Sequence, residues 1–218
     1  MMTKPASRLI AASLQRVISL LLLSFVVGCA PTQPRIDPPA TAVATKPVDV
    51  WLIPLEGFPP PYAWELEQKF SAELGLEVRA TVHAERTPKM FSPSGQMMAE
   101  RVRDELKVPL ERLYDVTPKT VFIVLTRDDL NNEAGGTRFV FATHFPGPRV
   151  SVVSMARMTN TFFGQPDSPA MTKLRLYKMV KKAIGLHYYG YGRTTDLNSV
   201  MYSPIMSLDD LDASGTRF

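Results

Sequence analysis

The apolar and polar positions of the chain change period several times, and each change marks an element. Val48–Leu55 is β-branched and aromatic and predicts a strand. Pro61–Leu74 carries Trp64, Leu66, Phe70 and Leu74 near helical spacing and stops at Gly75, which predicts a helix. Leu76–His83 alternates strictly, with Leu76, Val78, Ala80 and Val82 on one face, as a half-buried strand does. Gly95–Leu113 has Met98, Val102, Leu106 and Leu110 in a stripe and reads as a second helix, with a break expected near Pro109. Thr120–Thr126 is nearly all apolar, the pattern of a central strand covered on both faces. Thr137–Thr143 and Arg149–Met155 read as two further strands around a Pro146-Gly147-Pro148 turn. Ser168 to about His187 reads as a third helix, capped by Ser168 with Pro169 at its first position.

The order β-α-β-α-β-β-β-α-tail predicts an α+β (mixed α/β) domain, a mixed twisted sheet with helices packed on it. Its expected extent is residues 48–218. Composition adds little, being that of an ordinary globular protein with 45% hydrophobic residues, 21% charged residues and a formal net charge of +4.

The N-terminus changes the picture more. Lys4, Arg8 and Arg16 precede the apolar run Val17–Val27, with no acidic residue among them. The run is well short of the roughly 20 residues needed to span a bilayer. Residues 1–28 therefore read as a secretory signal. The segment Val26-Val27-Gly28-Cys29 resembles the lipobox of bacterial lipoproteins, which implies acylation of Cys29 and a membrane anchor. Cys29 is the single cysteine, so cysteine arithmetic says nothing about the fold. Ala30, rather than an acidic residue, follows it; the resemblance implies passage to the outer membrane of the cell envelope. Residues 29–47, rich in Pro, Thr and Ala, read as a tether. Nucleic acid is not an expected partner of an exported protein.

Three texts, in order, resemble the archaemetzincins, zinc metallopeptidases of the zincin fold. They are Thr120-Val-Phe-Ile-Val-Leu-Thr-Arg-Asp-Asp-Leu130, then Phe139-Val-Phe-Ala through Val150-Ser-Val-Val-Ser-Met-Ala-Arg157, then Lys178 to Asp212 with Ser199-Val-Met-Tyr-Ser-Pro. The resemblance runs from about Val48 to Asp212. It implies a zincin-like domain in which Met201 is the methionine of the Met-turn near the C-terminus.

Zinc hydrolysis needs three protein ligands, an open position for water and a base. The resemblance implies His-Glu-x-x-His on the third helix, whose i and i+4 positions share a face. If Ala183-Ile184-Gly185-Leu186 is the family's segment after the second histidine, the helical ligand positions are Lys178 and Lys182. The glutamate position is then Met179, and the third ligand position is Tyr188, beside His187. A register starting at Lys181-Lys182 recovers no histidine pair either. Between Ser168 and Thr195 there is no Asp or Glu, so the helix lacks a general base in any alignment. A protonated lysine has no lone pair for a metal. The expectation is no catalytic residue, no metal ligand and no cofactor, zinc being the one weighed against that.

Lys178, Lys182, His187, Tyr188 and Met201 are then candidates for a vestigial cleft. Each has a plainer reading. The basic residues Lys173, Arg175, Lys178, Lys181 and Lys182 make a solvated face, or touch anionic lipid; the sharper alternative is that Lys178 or Lys182 takes the ion's former place and holds an acidic partner such as a peptide carboxylate. His187 is a helix-end histidine held by the dipole. His144 is a loop residue. Tyr188, Tyr189 and Tyr191 line the cleft or pack under the Met-turn. Convergence of His83, His144 and His187 on a new metal is a further alternative. The leading expectation is a lipid-anchored envelope protein that binds an unidentified peptide or protein partner in the old substrate cleft. The rivals are an active zinc metallopeptidase with displaced ligands and a structural or assembly lipoprotein.

Overall fold

A computed structural model describes residues 46–134 and 136–218. Cys29, the 1–28 signal and the tether up to residue 45 lie outside the described residues. The elements run β1 (Val50–Pro54), α1 (Pro60–Leu74), β2 (Val78–Ala80), β3 (Met97–Met98), α2 (Ala99–Glu111), β4 (Val121–Thr126), β5 (Leu130–Asn131), β6 (Ala142–Phe145), β7 (Val150–Ser154), α3 (Pro169–Ile184) and α4 (Leu208–Ala213). A π-helical turn, Gly185–Tyr189, extends α3. Among the described residues no helix is long and apolar enough to cross a membrane.

The main sheet has the order β2-β1-β4-β7-β6. The first four strands are parallel, and β6 closes the edge antiparallel to β7. Alternation along β1 divides the core. Val50 and Leu52 face α1 and α3 with Phe70, Leu176, Val180 and Ile184. Trp51 and Ile53 face α2 with Val102 and Leu106. With helices on both faces, the central strands are buried along their whole length, which is why β1, β4 and β7 lack the polar half of a solvent-facing pattern. Gly75, at φ 67°, ends α1 in the left-handed conformation a glycine adopts without a Cβ clash.

The structure moves several predicted boundaries. The stripe assigned to one helix from Gly95 begins as strand β3, which pairs with β5, and turns helical at Ala99. Pro109 does not break α2; it sits in the last turn, and the helix ends after Glu111. The strand expected at Thr137–Thr143 forms only at Ala142–Phe145. Ahead of it Val140 donates to the Leu130 carbonyl, and Phe139 packs edge-to-face on Phe141 at 5.3 Å instead of alternating across a sheet. Ser168 flanks α3 without a side-chain cap, and its backbone carbonyl accepts from Thr172 N–H instead; Pro169 does hold the first helical position.

Candidate functional site

The α3 helix is not a solvated basic face. Arg175, Lys178, Lys181 and Lys182 are all buried. Buried cations need acceptors, and most of these find them in the segment after Leu208. Arg175 makes a two-pronged pair with Asp212 at 2.7 Å on each prong and donates to the Met158 carbonyl. Lys178 Nζ donates to the carbonyls of Leu211, Asp212 and Ser214. Lys181 Nζ reaches Glu73 Oε1 at 2.5 Å and the Thr216 carbonyl at 2.7 Å. Lys178 therefore points into the α4 side of the fold.

Lys182 differs. It donates to the Tyr202 carbonyl and lines a cleft of about 430 Å³ together with Met179, His144 and Arg193. Phe139, Phe141 and Ile205 supply apolar wall. No Asp or Glu lines this cleft. Among the described residues neither Lys182 nor Arg193 is ion-paired. Burial, and secondarily the Arg193 charge, push the Lys182 ammonium down to about 8.

Beside the cleft lies a chain of three polar side chains. His144 stands on β6 directly across from Ser151 on β7, so it is a strand residue and not a loop residue. Ser151 Oγ lies 2.8 Å from His144 Nδ1 and 2.8 Å from His187 Nε2. Ser151 is fully buried and His187 nearly so. Burial pushes His144 down to about 3, helped by the charges of His187, Arg193 and Lys182. Burial and the Arg149 charge push His187 down to about 4, against a backbone hydrogen bond with Val150. Both rings are neutral near pH 7. His187 does stand in the last turn of the helix, but its ring is hydrogen-bonded to Ser151, and burial outweighs what a charged ring would gain from the dipole. Arg149, at φ 53° after the Pro146–Pro148 turn, donates to the His187 carbonyl at 2.7 Å and fixes the π-helical turn against the hairpin.

The other candidates sit around this frame. Tyr188 turns toward β1 and donates to Asp49 Oδ1 at 3.2 Å. Tyr189 and Tyr191 stack on each other at 5.3 Å and both meet Phe218. Met201 is buried in the turn closed by Tyr202 N–H on the Ser199 carbonyl. A Cβ on Gly185 would fall 2.7 Å from Met201 Sδ and 2.8 Å from Phe218 Cε1. His83 is exposed and takes no part in the His144–Ser151–His187 chain. Sequence reasoning missed Ser151, Arg149 and Arg193. Ser151 was signalled as a polar residue inside the apolar run Val150–Val153; Arg193 carried no signal, because its place in the cleft wall depends on how the chain returns after α3.

The donor set does not fit a zinc ion of the hydrolytic kind. Among the described residues there is no group of three His, Cys, Asp or Glu able to hold a metal. One nitrogen of each of His144 and His187 is engaged by the same hydroxyl. Lys178 and Lys182 are committed to carbonyls as donors.

No protein-family profile matches the chain. Over 67 residues it is 34% identical to the archaemetzincin of Pyrococcus horikoshii, a match covering 31% of this chain and 35% of that relative. The match thus spans about a third of the relative's length. The fold is similar to that of a zinc-dependent peptidase from Methanocorpusculum labreanum, with TM-score 0.66 and 23% identity over 78% of this chain and 95% of that one. It is also similar to the archaemetzincin of Methanopyrus kandleri, with TM-score 0.60 and 25% identity over 82% and 92%. A third likeness is to the archaemetzincin of Archaeoglobus fulgidus solved with malonate, at TM-score 0.58 and 21% identity over 78% and 94%. The mostly parallel sheet, the helices on its two faces and these likenesses together identify an archaemetzincin-like zincin fold.

Proposed function

We propose that the chain is a lipid-anchored envelope protein whose archaemetzincin-like domain binds a peptide or protein partner without cutting it. The observation that carries this reading is the pair Met179 and Lys182 in the cleft wall. In the register set by Gly185 they stand where the family's motif has its glutamate and its second histidine. A thioether takes no proton from water, and an ammonium has no lone pair to give a metal. The cleft itself persists, with apolar walls and cationic groups able to hold a polypeptide. Cys29 would carry the lipid, and Ala30 after it fits an outer-membrane destination facing the periplasm.

The test is metal content and peptide hydrolysis measured on the same purified sample. The expected result is no stoichiometric zinc and no cleavage of a fluorogenic peptide that zinc stimulates and a chelator stops. Zinc-dependent cleavage suppressed by changing His187 would establish a working peptidase with displaced ligands.

A further inference from the structure

The cleft offers three cationic side chains, Arg138, Lys182 and Arg193, and no carboxylate to answer them. Lys182 is the telling one. It is 4% exposed, its one acceptor is the Tyr202 carbonyl, and among the described residues no acid neutralises it. A buried ammonium in that setting is poised for an anion from outside. The Arg193 guanidinium, in the same wall, gives a carboxylate a second set of donors.

The histidine chain fixes a complementary acceptor. His187 Nε2 lies against Ser151 Oγ, and a ring proton on Nδ1 is the arrangement that leaves Nδ1 to serve the hydrogen bond with the Val150 backbone. That bond favours the protonated ring, so the backbone group accepting it is the carbonyl, and Nδ1 carries the proton. A neutral His187 therefore accepts at Nε2 from the Ser151 hydroxyl. The hydroxyl has one hydrogen; having given it to His187, Ser151 Oγ accepts from His144 Nδ1–H. The neutral His144 ring is left with its lone pair on Nε2. Among the described residues nothing is hydrogen-bonded to that nitrogen, and His144 lines the cleft. In this arrangement His144 presents an acceptor at the cleft, close enough to Lys182 and Arg193 to feel both charges.

A group with an anion and an adjacent N–H donor satisfies both halves. A peptide's last residue carries these together, an α-carboxylate one atom removed from its amide N–H. We propose that the cleft receives the free C-terminal end of a peptide, its carboxylate against Lys182 and Arg193 and its last N–H donated to His144 Nε2. The apolar walls at Phe139, Phe141 and Ile205 then take the side chains of the final residues. This rests on the peptide-binding reading above and narrows it to chain ends.

The test uses the full chain in detergent and four probes: N-acetyl-Phe-Leu as the free acid, its C-terminal amide, an analogue with an ester in place of the last amide, and an acetyl-Ala-Phe-Leu-Ala amide mimicking internal sequence. Calorimetry should show the free acid binding tighter than the C-terminal amide by about tenfold or more, the ratio that about 1.4 kcal/mol represents. The ester, whose oxygen would face the His144 lone pair, should lose a comparable factor. In a His144→Phe variant the acid and ester should converge, since the acceptor is gone. Equal binding of the acid, the amide and the internal mimic would overturn the chain-end inference and leave the peptide-binding cleft standing. An ester as tight as the acid would remove His144 from recognition. Binding of none of the four would overturn both.

Discussion

Lys182 and the two histidines are each held in surroundings that disfavour their charged forms. Replacing Lys182 with Met removes a desolvated charge and keeps the apolar stem, so Lys182→Met should raise unfolding free energy by on the order of 1–3 kcal/mol while abolishing binding of carboxylate peptides. Urea denaturation and calorimetry on the same variant check both halves; a less stable variant would mean the Tyr202 carbonyl bond outweighs the desolvation. Affinity for a carboxylate should also fall as pH rises past about 8, where Lys182 loses its charge. For the histidines the sign is opposite to that of a paired, charged imidazole. The unfolded chain titrates them near about 6.5, the folded chain at about 3 and about 4. Between those values the unfolded state binds more protons, so stability drops as pH falls below about 6.5. Urea midpoints from pH 7 to 4.5 should decline, and a His144→Asn, His187→Asn variant should show a visibly flatter decline. An unchanged slope would show that these rings are not buried neutral. None of this was legible from residue types alone. His144 meets His187 through Ser151, which it faces across an antiparallel pairing whose register no local pattern fixes, and the sequence offers no means of choosing a tautomer.

At the scale of elements, the helices and strands with strong periodicity were readable and their ends were not. β1, β4, β7, α1 and α3 fall where the pattern of apolar residues puts them, because both faces of the sheet are covered and the periodic residues are the core. The start of α2 and the extent of β6 were misjudged because distant backbone partners decide them: Asp129 for Met97 and Leu130 for Val140. The basic helix was misjudged most. Its amphipathic stripe is real, but its polar face is covered by a later segment, and periodicity cannot distinguish water from a carbonyl as the acceptor. The passage from α3 into the π-helical turn depends on Gly185, which is helical and not left-handed. Its need for glycine is one of space, since a methyl group would collide with Met201 and Phe218. Gly185→Ala should lower the melting temperature, with a loss of about 1–3 kcal/mol. A neutral outcome would show that the Phe218 ring swings away freely.

The whole molecule is a scaffold whose buried charges tie separate regions together. Arg175 joins α3 to α4 and to the loop after β7, and Lys181 joins α3 to α1 through Glu73. Removing residues 208–218 would strip Lys178 of all three of its carbonyl acceptors, Arg175 of Asp212 and Lys181 of the Thr216 carbonyl, while leaving the three cations inside. Such a truncation should therefore be far worse than loss of its apolar contacts predicts, with α3 open to protease and cooperative unfolding lost. A truncated chain that still melts in one sharp transition would contradict this. The same dependence separates anchoring from recognition. The proposed lipid at Cys29 and the cleft at the edge of the sheet make different demands, and changes at one should leave the other's measurement intact.

The three carbonyls gathered by Lys178 also bear on the order of assembly. Strands β1, β4 and β7 have their apolar partners as soon as they meet, and α3 has its apolar stripe from the moment it forms. Lys178 does not have its own partners, although Lys181 already has Glu73 on α1. Leu211, Asp212 and Ser214 arrive roughly thirty residues later along the chain. Until they do, α3 can dock only with the Lys178 ammonium unsatisfied against a dry interior, which weakens that docking. The helix that lines the cleft is thus early in sequence pattern and late in commitment, and the cleft acquires its shape only when the segment that plugs the helix's other side has closed.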